Sequence, residues 1–156
     1  MKTYNLLENS DFAKLITEGS RLLGIDPGKK NVGIAICDPS HLIATPYETI
    51  QAKKLKNLLE ELDKIIIEND IKGIVVGHPI NMDGTEGPRS QSTKDFVKNI
   101  IKHTHLPVTL WDERLSSAGA FKSMQDLEIN SSSKKNKLDE NSAAFILQGF
   151  IDYLKK

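Results

Sequence analysis

Leu22-Leu23-Gly24-Ile25-Asp26-Pro27-Gly28-Lys29-Lys30-Asn31-Val32-Gly33-Ile34-Ala35-Ile36-Cys37 is the stretch on which the architecture turns. A short apolar run ends on an acid at Asp26, Pro27-Gly28 signals a turn, and a second apolar run follows from Val32 to Cys37. Asp38-Pro39-Ser40 marks a second turn, and His41 to Ile50 reads as a third extended segment whose end Pro46 demotes to an edge or a bend. Three strands joined by short turns predict an antiparallel meander.

Beyond the meander the period changes. Leu55, Leu58, Leu59, Leu62, Ile65 and Ile66 recur at helical spacing, with Lys54, Lys56, Glu60, Glu61, Asp63 and Lys64 as the solvated side. Ile71 to Gly77 is a continuous apolar run, the pattern of a strand covered on both faces. Phe96, Val97, Ile100 and Ile101 give a second helical stripe, and Pro107 to Trp111 is a short strand running into Asp112 and Glu113. Ser116 to Met124 reads as helical, Asn130 to Lys137 as a mobile polar loop, and Ala143, Ala144, Ile146, Leu147, Phe150, Ile151 and Leu154 as a strong last helix. The expected fold is α/β: a mixed sheet, with an antiparallel three-strand meander followed by parallel strands, flanked by helices. Residues 1–20 are expected to be an N-terminal extension. Ser10 would cap a short helix over Asp11 to Glu18, stopped by Gly19, that frays or packs on the outside. Residues 21–156 then form one domain.

With 156 residues, 38% of them hydrophobic and 27% charged, the chain has the composition of an ordinary globular protein. It has no apolar run long enough for a membrane helix, and its polar, acidic start does not read as a secretory signal. A single cysteine excludes an internal disulfide framework and points to the cytoplasm. Lys plus Arg and Asp plus Glu both number 21. That balance argues against a protein that merely coats nucleic acid, but not against a carboxylate cluster made locally positive by bound metal.

Three acids sit at the ends of regular elements. Asp26 ends the first strand and Glu113 follows the last, while Asp139 lies two four-residue steps before Leu147, on the apolar stripe of the final helix. Open sheets place their sites outside the carboxyl ends of strands, where these three can converge. Clustered carboxylates need cations or protons, and Mg2+ or Mn2+ held there, as a pair about 3.5–4 Å apart, suits phosphodiester hydrolysis. Taken singly, Asp26 before Pro27-Gly28 also fits a plain turn, and Asp139 fits a helix cap.

Gly28, Lys29 and Lys30 put a permissive backbone and positive charge beside Asp26. The stretch His78 to Arg89, with Asn81, Asp83, Gly84 and Thr85, follows a buried strand and precedes a helix, so its amides and Arg89 are candidates for phosphate contact. A long connection with turn residues explains the same composition. Arg114 beside Glu113 offers a guanidinium fork for phosphate, or is a surface ion pair.

Together these segments resemble the YqgF/RuvX family of RNase H-like nucleases. The matching pieces are Gly24-Ile25-Asp26-Pro27-Gly28 through Gly33-Ile34-Ala35, Val76-Gly77-His78-Pro79-Ile80-Asn81-Met82-Asp83-Gly84-Thr85-Glu86-Gly87, Asp112-Glu113-Arg114-Leu115-Ser116-Ser117, and Leu138-Asp139 with Ala143 to Gly149. The resemblance runs from about Arg21 to Tyr153. It implies an RNase H-like fold, a metal-dependent endonuclease that processes the 5′ end of precursor 16S ribosomal RNA, and Asp26, Glu113 and Asp139 as catalytic metal ligands. Holliday-junction resolution on branched DNA is the alternative activity it implies. Two positions depart from the family pattern: Asn31, where Arg is usual, and His78, where Leu is usual and which is read here as structural or substrate-facing.

Cys37 and Trp111 are expected in the core, and His103 and His105 near a helix end, exposed. Two other classes of function compete with the nuclease. One is a non-catalytic module that holds nucleic acid or a ribosome-assembly partner. The other is a nucleotide phosphotransferase, for which the chain lacks room for a second lobe. The expected partner is nucleic acid, structured RNA or branched DNA, with no membrane, and the protein is a monomer or a homodimer.

Overall fold

The computed structural model describes residues 6–28, 30–51, 54–79, 87–112 and 134–155, without the side chains of residues 89 and 134–140. The elements in chain order are α1 (Asn9–Leu15), β1 (Arg21–Pro27), β2 (Asn31–Cys37), β3 (Ala44–Gln51), α2 (Leu55–Asn69), β4 (Ile71–His78), α3 (Pro88–Thr104), β5 (Val108–Asp112) and α4 (Lys134–Leu154). One five-stranded sheet runs in the order β3-β2-β1-β4-β5. β1 is antiparallel to β2, β2 to β3, and β4 lies parallel to both β1 and β5. The meander-then-parallel arrangement expected from the sequence is therefore the observed one.

Alternation along the strands divides the core in two, because successive side chains leave opposite faces of a sheet. Leu23, Ile25, Val32, Ile34, Ile74 and Val76 pack with Leu58, Leu62 and Ile65 of α2 and Val97 and Ile100 of α3. Leu22, Ala35, Cys37, Val75 and Trp111 face the other way, toward Phe12 of α1 and Ala143, Leu147, Phe150 and Ile151 of α4. Each fully buried Leu, Ile or Phe contributes about 1.5–3 kcal/mol relative to exposure. Cys37 packs as an apolar residue, yet its Sγ accepts the Leu22 N–H at 3.3 Å. Burial pushes its thiol above the ordinary value of 9.0, with the Leu22 bond opposing, so it is no ready nucleophile.

Several placements and boundaries differ from expectation. Residues 6–20 are mostly exposed, as expected, but they do not fray from the domain: Phe12 is fully buried and meets Phe150 edge to face at 5.3 Å. Gly73 makes room for it, since a Cβ there would stand 2.8 Å from Phe12 Cζ. Leu7 also bridges Thr109, covering part of β5. The short helix is α1, beginning at Asn9 with no side-chain cap, and Ser10 lies inside it.

The third strand starts at Ala44 instead of His41. The Asp38 carboxylate takes the N–H groups of Leu42 and Ile43 at 2.8 Å and of Ser40 at 3.2 Å, so these donors are lost to a ladder. His41, at φ 57°, turns the chain and donates Nε2–H to the Ser20 carbonyl. Pro46 behaves as expected, on an edge strand at a register shift: Ile34 faces Glu48 whereas Ala35 faces Pro46.

The polar run read as a loop up to Lys137 is helical from Lys134, because lysine, leucine and glutamate extend the last helix readily. Residues 130–133 and the helix expected over Ser116 to Met124 lie outside the described residues.

Candidate functional site

Asp26 is the penultimate residue of β1 and is half-buried. Leu22 packs on the α4 side, and a Cβ added at Gly24 would stand 2.7 Å from Leu147 Cβ and 3.0 Å from the Ala143 carbonyl. By the two-residue period, Asp26 belongs to that same face. The absent side chain at Gly24 lets α4 sit directly on β1.

Its neighbours across the sheet are small. Asp26 is in register with Gly33, and Gly33 with Thr49. Continuing the Ile25–Val76 register by one residue sets Gly77 on the other side, and Gly77 is paired with Trp111. The row on the α4 face at this level is therefore Thr49, Gly33, Asp26, Gly77, Trp111. Two glycines flank the acid, so neither adjoining strand carries a side chain beside it. With strands about 4.8 Å apart, the nearest side chains along this row are those of Thr49 and Trp111, one strand further out on either side.

The direction of α4 follows from Gln148. Its Oε1 accepts the Ala44 N–H at 2.9 Å, and its Nε2 donates to the Leu42 carbonyl at 3.1 Å. Ala44 pairs with Cys37, and Leu23 with Ile36, so this is the amino end of β1. Earlier turns of α4 run toward the carboxyl end of β1. From Gln148 back to Asp139 the helix rises about 13–14 Å, and Leu22 to Asp26 spans about 13 Å of strand. The backbone turn that carries Asp139 thus reaches the edge where Asp26 stands.

β5 ends at Asp112 at that same edge, with Asp112 in register with His78. Leu110 packs with the α2/α3 cluster and Trp111 with the α4 cluster, so Asp112 is on the face opposite Asp26. Glu113 and Arg114 lie outside the described residues, as do Lys29, Asn81, Asp83, Gly84 and Thr85. Lys30 is exposed, and Arg89 lies in the first turn of α3. Among the described residues no group of three His, Cys, Asp or Glu side chains could hold a metal ion, and Asp26 is the one member of the expected trio whose side chain is described.

Gly28 has a local reason to be glycine. Its N–H donates to the Asp26 carbonyl at 3.1 Å, and a Cβ there would collide with the Asn31 carbonyl oxygen, while its φ is not positive. Close approach within the hairpin, and not a left-handed backbone, requires it.

His78 is buried, and its Nε2 stands 2.5 Å from Ser90 Oγ. Of the two roles open to it from sequence, structural or substrate-facing, burial favours the structural one. Sequence reasoning missed Ser90, and it quoted Gly33 and Gly77 within their motifs without placing them beside Asp26. The glycines interrupt otherwise apolar strands, a signal readable only once register sets them beside Asp26. Trp111 is in the core as expected, its ring against Phe150 and Tyr153 at 5.7 and 5.6 Å. His103 is bonded to Asp63 at 2.6 Å, and His105 caps α3 at φ 59°. Among the described residues no helix is long and apolar enough to cross a membrane.

The family model described as "RuvX: Holliday junction resolvase" matches residues 20–153. A protein of Pelagibacter ubique, named "Putative pre-16S rRNA nuclease", is 48% identical over 92% of this chain and 95% of its own length. A Rhodobacter capsulatus protein of the same name is 43% identical over 92% and 91%. Among solved structures, Thermus thermophilus RuvC in complex with a Holliday junction substrate superposes with a TM-score of 0.56 at 10% identity, covering 86% of this chain and 96% of that one. The yeast mitochondrial Holliday junction resolvase gives 0.54 at 13% identity over 94% and 84%. At such identities the two structures speak for the shared fold alone.

Proposed function

The chain belongs to the RuvX family, and we propose from that premise that it is a metal-dependent endonuclease that processes the 5′ end of precursor 16S ribosomal RNA. That it is a nuclease, a hydrolase of phosphodiester bonds, follows from its relatives, which it matches over nearly their whole length. The finer reading rests on one observation: Asp26 stands at the carboxyl edge of the sheet between Gly33 and Gly77, facing the helix that carries Asp139.

In this reading Asp26, Glu113 and Asp139 hold Mg2+ or Mn2+. The glycines in register on either side of Asp26 suit such an ion, which keeps several of its waters. When bound, the cation supplies a water of lowered pKa and offsets charge at the leaving oxygen. The chain's own residues bind and orient the phosphodiester. Gly28, Lys29 and Lys30 approach one strand beside Asp26, Asn81, Asp83, Gly84, Thr85 and Arg89 contact the backbone from the β4–α3 connection, and Arg114 forks a phosphate. Residues 21–156 form the nuclease domain, residues 1–20 its N-terminal extension, and the protein works in the cytoplasm.

RNA is favoured over DNA because the full-length relatives above carry the pre-16S rRNA name, whereas the resolvase name comes from the family model's description and from structures that share only the fold. Cutting a symmetric four-way junction would also demand a homodimer with paired sites, while trimming an RNA end needs only a monomer. Labelled precursor rRNA and four-way DNA, each with and without Mn2+, separate the readings. The expected result is metal-dependent RNA cleavage that falls about a thousandfold in Asp26→Asn, the several kcal/mol such a metal site supplies. Equal cleavage by Asp26→Asn removes the mechanism. Junction cutting without RNA cutting selects the resolvase, and metal-independent binding without product selects a holding module.

A further inference from the structure

Behind the acid, on the opposite face of the sheet, a polar pair is buried among apolar residues. His78 is 8% exposed and Ser90 is 0% exposed, with Nε2 and Oγ 2.5 Å apart. The inward stripe of α3 is polar only where it passes the end of β4: Ser90 and Thr93 are buried there, and Val97, Ile100 and Ile101 follow. A leucine at position 78 would fill such a space with no desolvation cost. A buried imidazole, by contrast, is tolerated only when bonded, and the bond then dictates one placement of helix against strand.

We propose that His78 and Ser90 are positioning residues: their bond clasps the first turn of α3 to the end of β4 and so sets how tightly nucleic acid is held at the Asp26 edge. The two are twelve positions apart in sequence, and the bond joins the two ends of the connection between their elements. Gly77, whose bare face lies beside Asp26, is covalently joined to His78, and Arg89 to Ser90. Slack in the clasp therefore reaches both the space next to the acid and the start of the helix. Asp112, in register with His78 on the same face, completes a Ser, His and Asp set, but full burial of Ser90 leaves no path for a substrate to its hydroxyl, which excludes a nucleophilic role.

The inference deepens the nuclease reading and rests on it, so its test has an arm that needs no cutting. His78→Leu, Ser90→Ala, the double variant and His78→Gln are compared in KM and kcat on precursor rRNA, and in Kd for a labelled RNA hairpin by fluorescence anisotropy. Each single removal is expected to raise KM and Kd about five- to tenfold, the effect of one buried hydrogen bond, with kcat within about twofold. The double variant should be no worse than His78→Leu alone, because that substitution has already removed the bond Ser90→Ala removes, and His78→Gln should recover most of the loss. Unchanged KM and Kd in both singles, even with a lowered melting temperature, would make the pair merely structural and overturn the proposal, as would additive losses in the double. Should His78→Leu fail to fold, Ser90→Ala and His78→Gln carry the same decision. A wild-type protein that binds the hairpin but cuts nothing defeats the nuclease reading while leaving the clasp to be judged on Kd.

Discussion

The two faces of the sheet are built from alternate residues of the same strands, yet at the carboxyl edge they have opposite character. Toward α2 and α3 the strands present Leu23, Ile25, Val32, Ile34, Ile74 and Val76, a continuous apolar layer. Toward α4 the same strands present Gly24, Gly33, Asp26 and Gly77. One face is filled by side chains, and the other has them removed around a single acid. Away from that edge the α4 face is packed as well, by Leu22, Ala35, Cys37, Val75 and Trp111 against Ala143, Leu147, Phe150 and Ile151, so the charged edge stands at the end of a sheet filled on both sides.

The sharpest test of this division crosses two substitutions. Asp26→Asn should abolish metal-dependent cleavage by about a thousandfold with little change in melting temperature. Leu62→Ala, a fully buried site under the opposite face, should cost about 2–5 kcal/mol of stability and lower the melting temperature by roughly 5–15 °C, while kcat at a permissive temperature stays near wild type. Loss of both properties from either substitution would mean the faces are not separable.

Gly24→Ala comes next in size. Its methyl would press on Leu147 Cβ and the Ala143 carbonyl, so α4 must shift, at about 1–3 kcal/mol. Because that helix also carries Asp139, activity should fall further than stability alone explains, as a ratio of kcat/KM to folded fraction would show. A loss of stability with full activity per folded molecule would separate α4 seating from the acid site.

The smallest effect lies far from both faces, in the β2–β3 turn. The Ile43 N–H holds the Asp38 carboxyl below its usual 3.8, opposed by desolvation and joined by the Leu42 and Ser40 N–H groups. A lowered folded value stabilises the fold above the unfolded pKa, and that contribution disappears as pH falls through the folded value. The melting temperature of wild type should therefore drop slightly more than that of Asp38→Asn between about pH 4 and pH 2. Parallel curves would assign the turn no pH-linked stability.

Much of this was legible in the chain. Period-two and helical patterns identified the meander, α2, the buried β4 and the last helix, since burial selects apolar residues at fixed spacing. Asp26 was legible because an acid ending an apolar run is out of place unless something recruits it. Phe12 was misjudged: one aromatic in a polar stretch has no period, and only Gly73 and Phe150, distant in sequence, give it a place to be buried. Lys134 to Lys137 were misjudged because lysines and serines read as solvated loop, while the helix they extend is anchored further on, at Ala143 and Leu147.

Local sequence alone determined the strands of the meander, α2, β4 and the body of the last helix, and which acid ends β1, because those depend on side-chain pattern within a few residues. Tertiary structure decided that Gly33 and Gly77 stand on either side of that acid, that α4 runs back toward it, and that His78 meets Ser90. Each depends on register between strands or the seating of a helix, and these are set by packing among residues far apart in the chain.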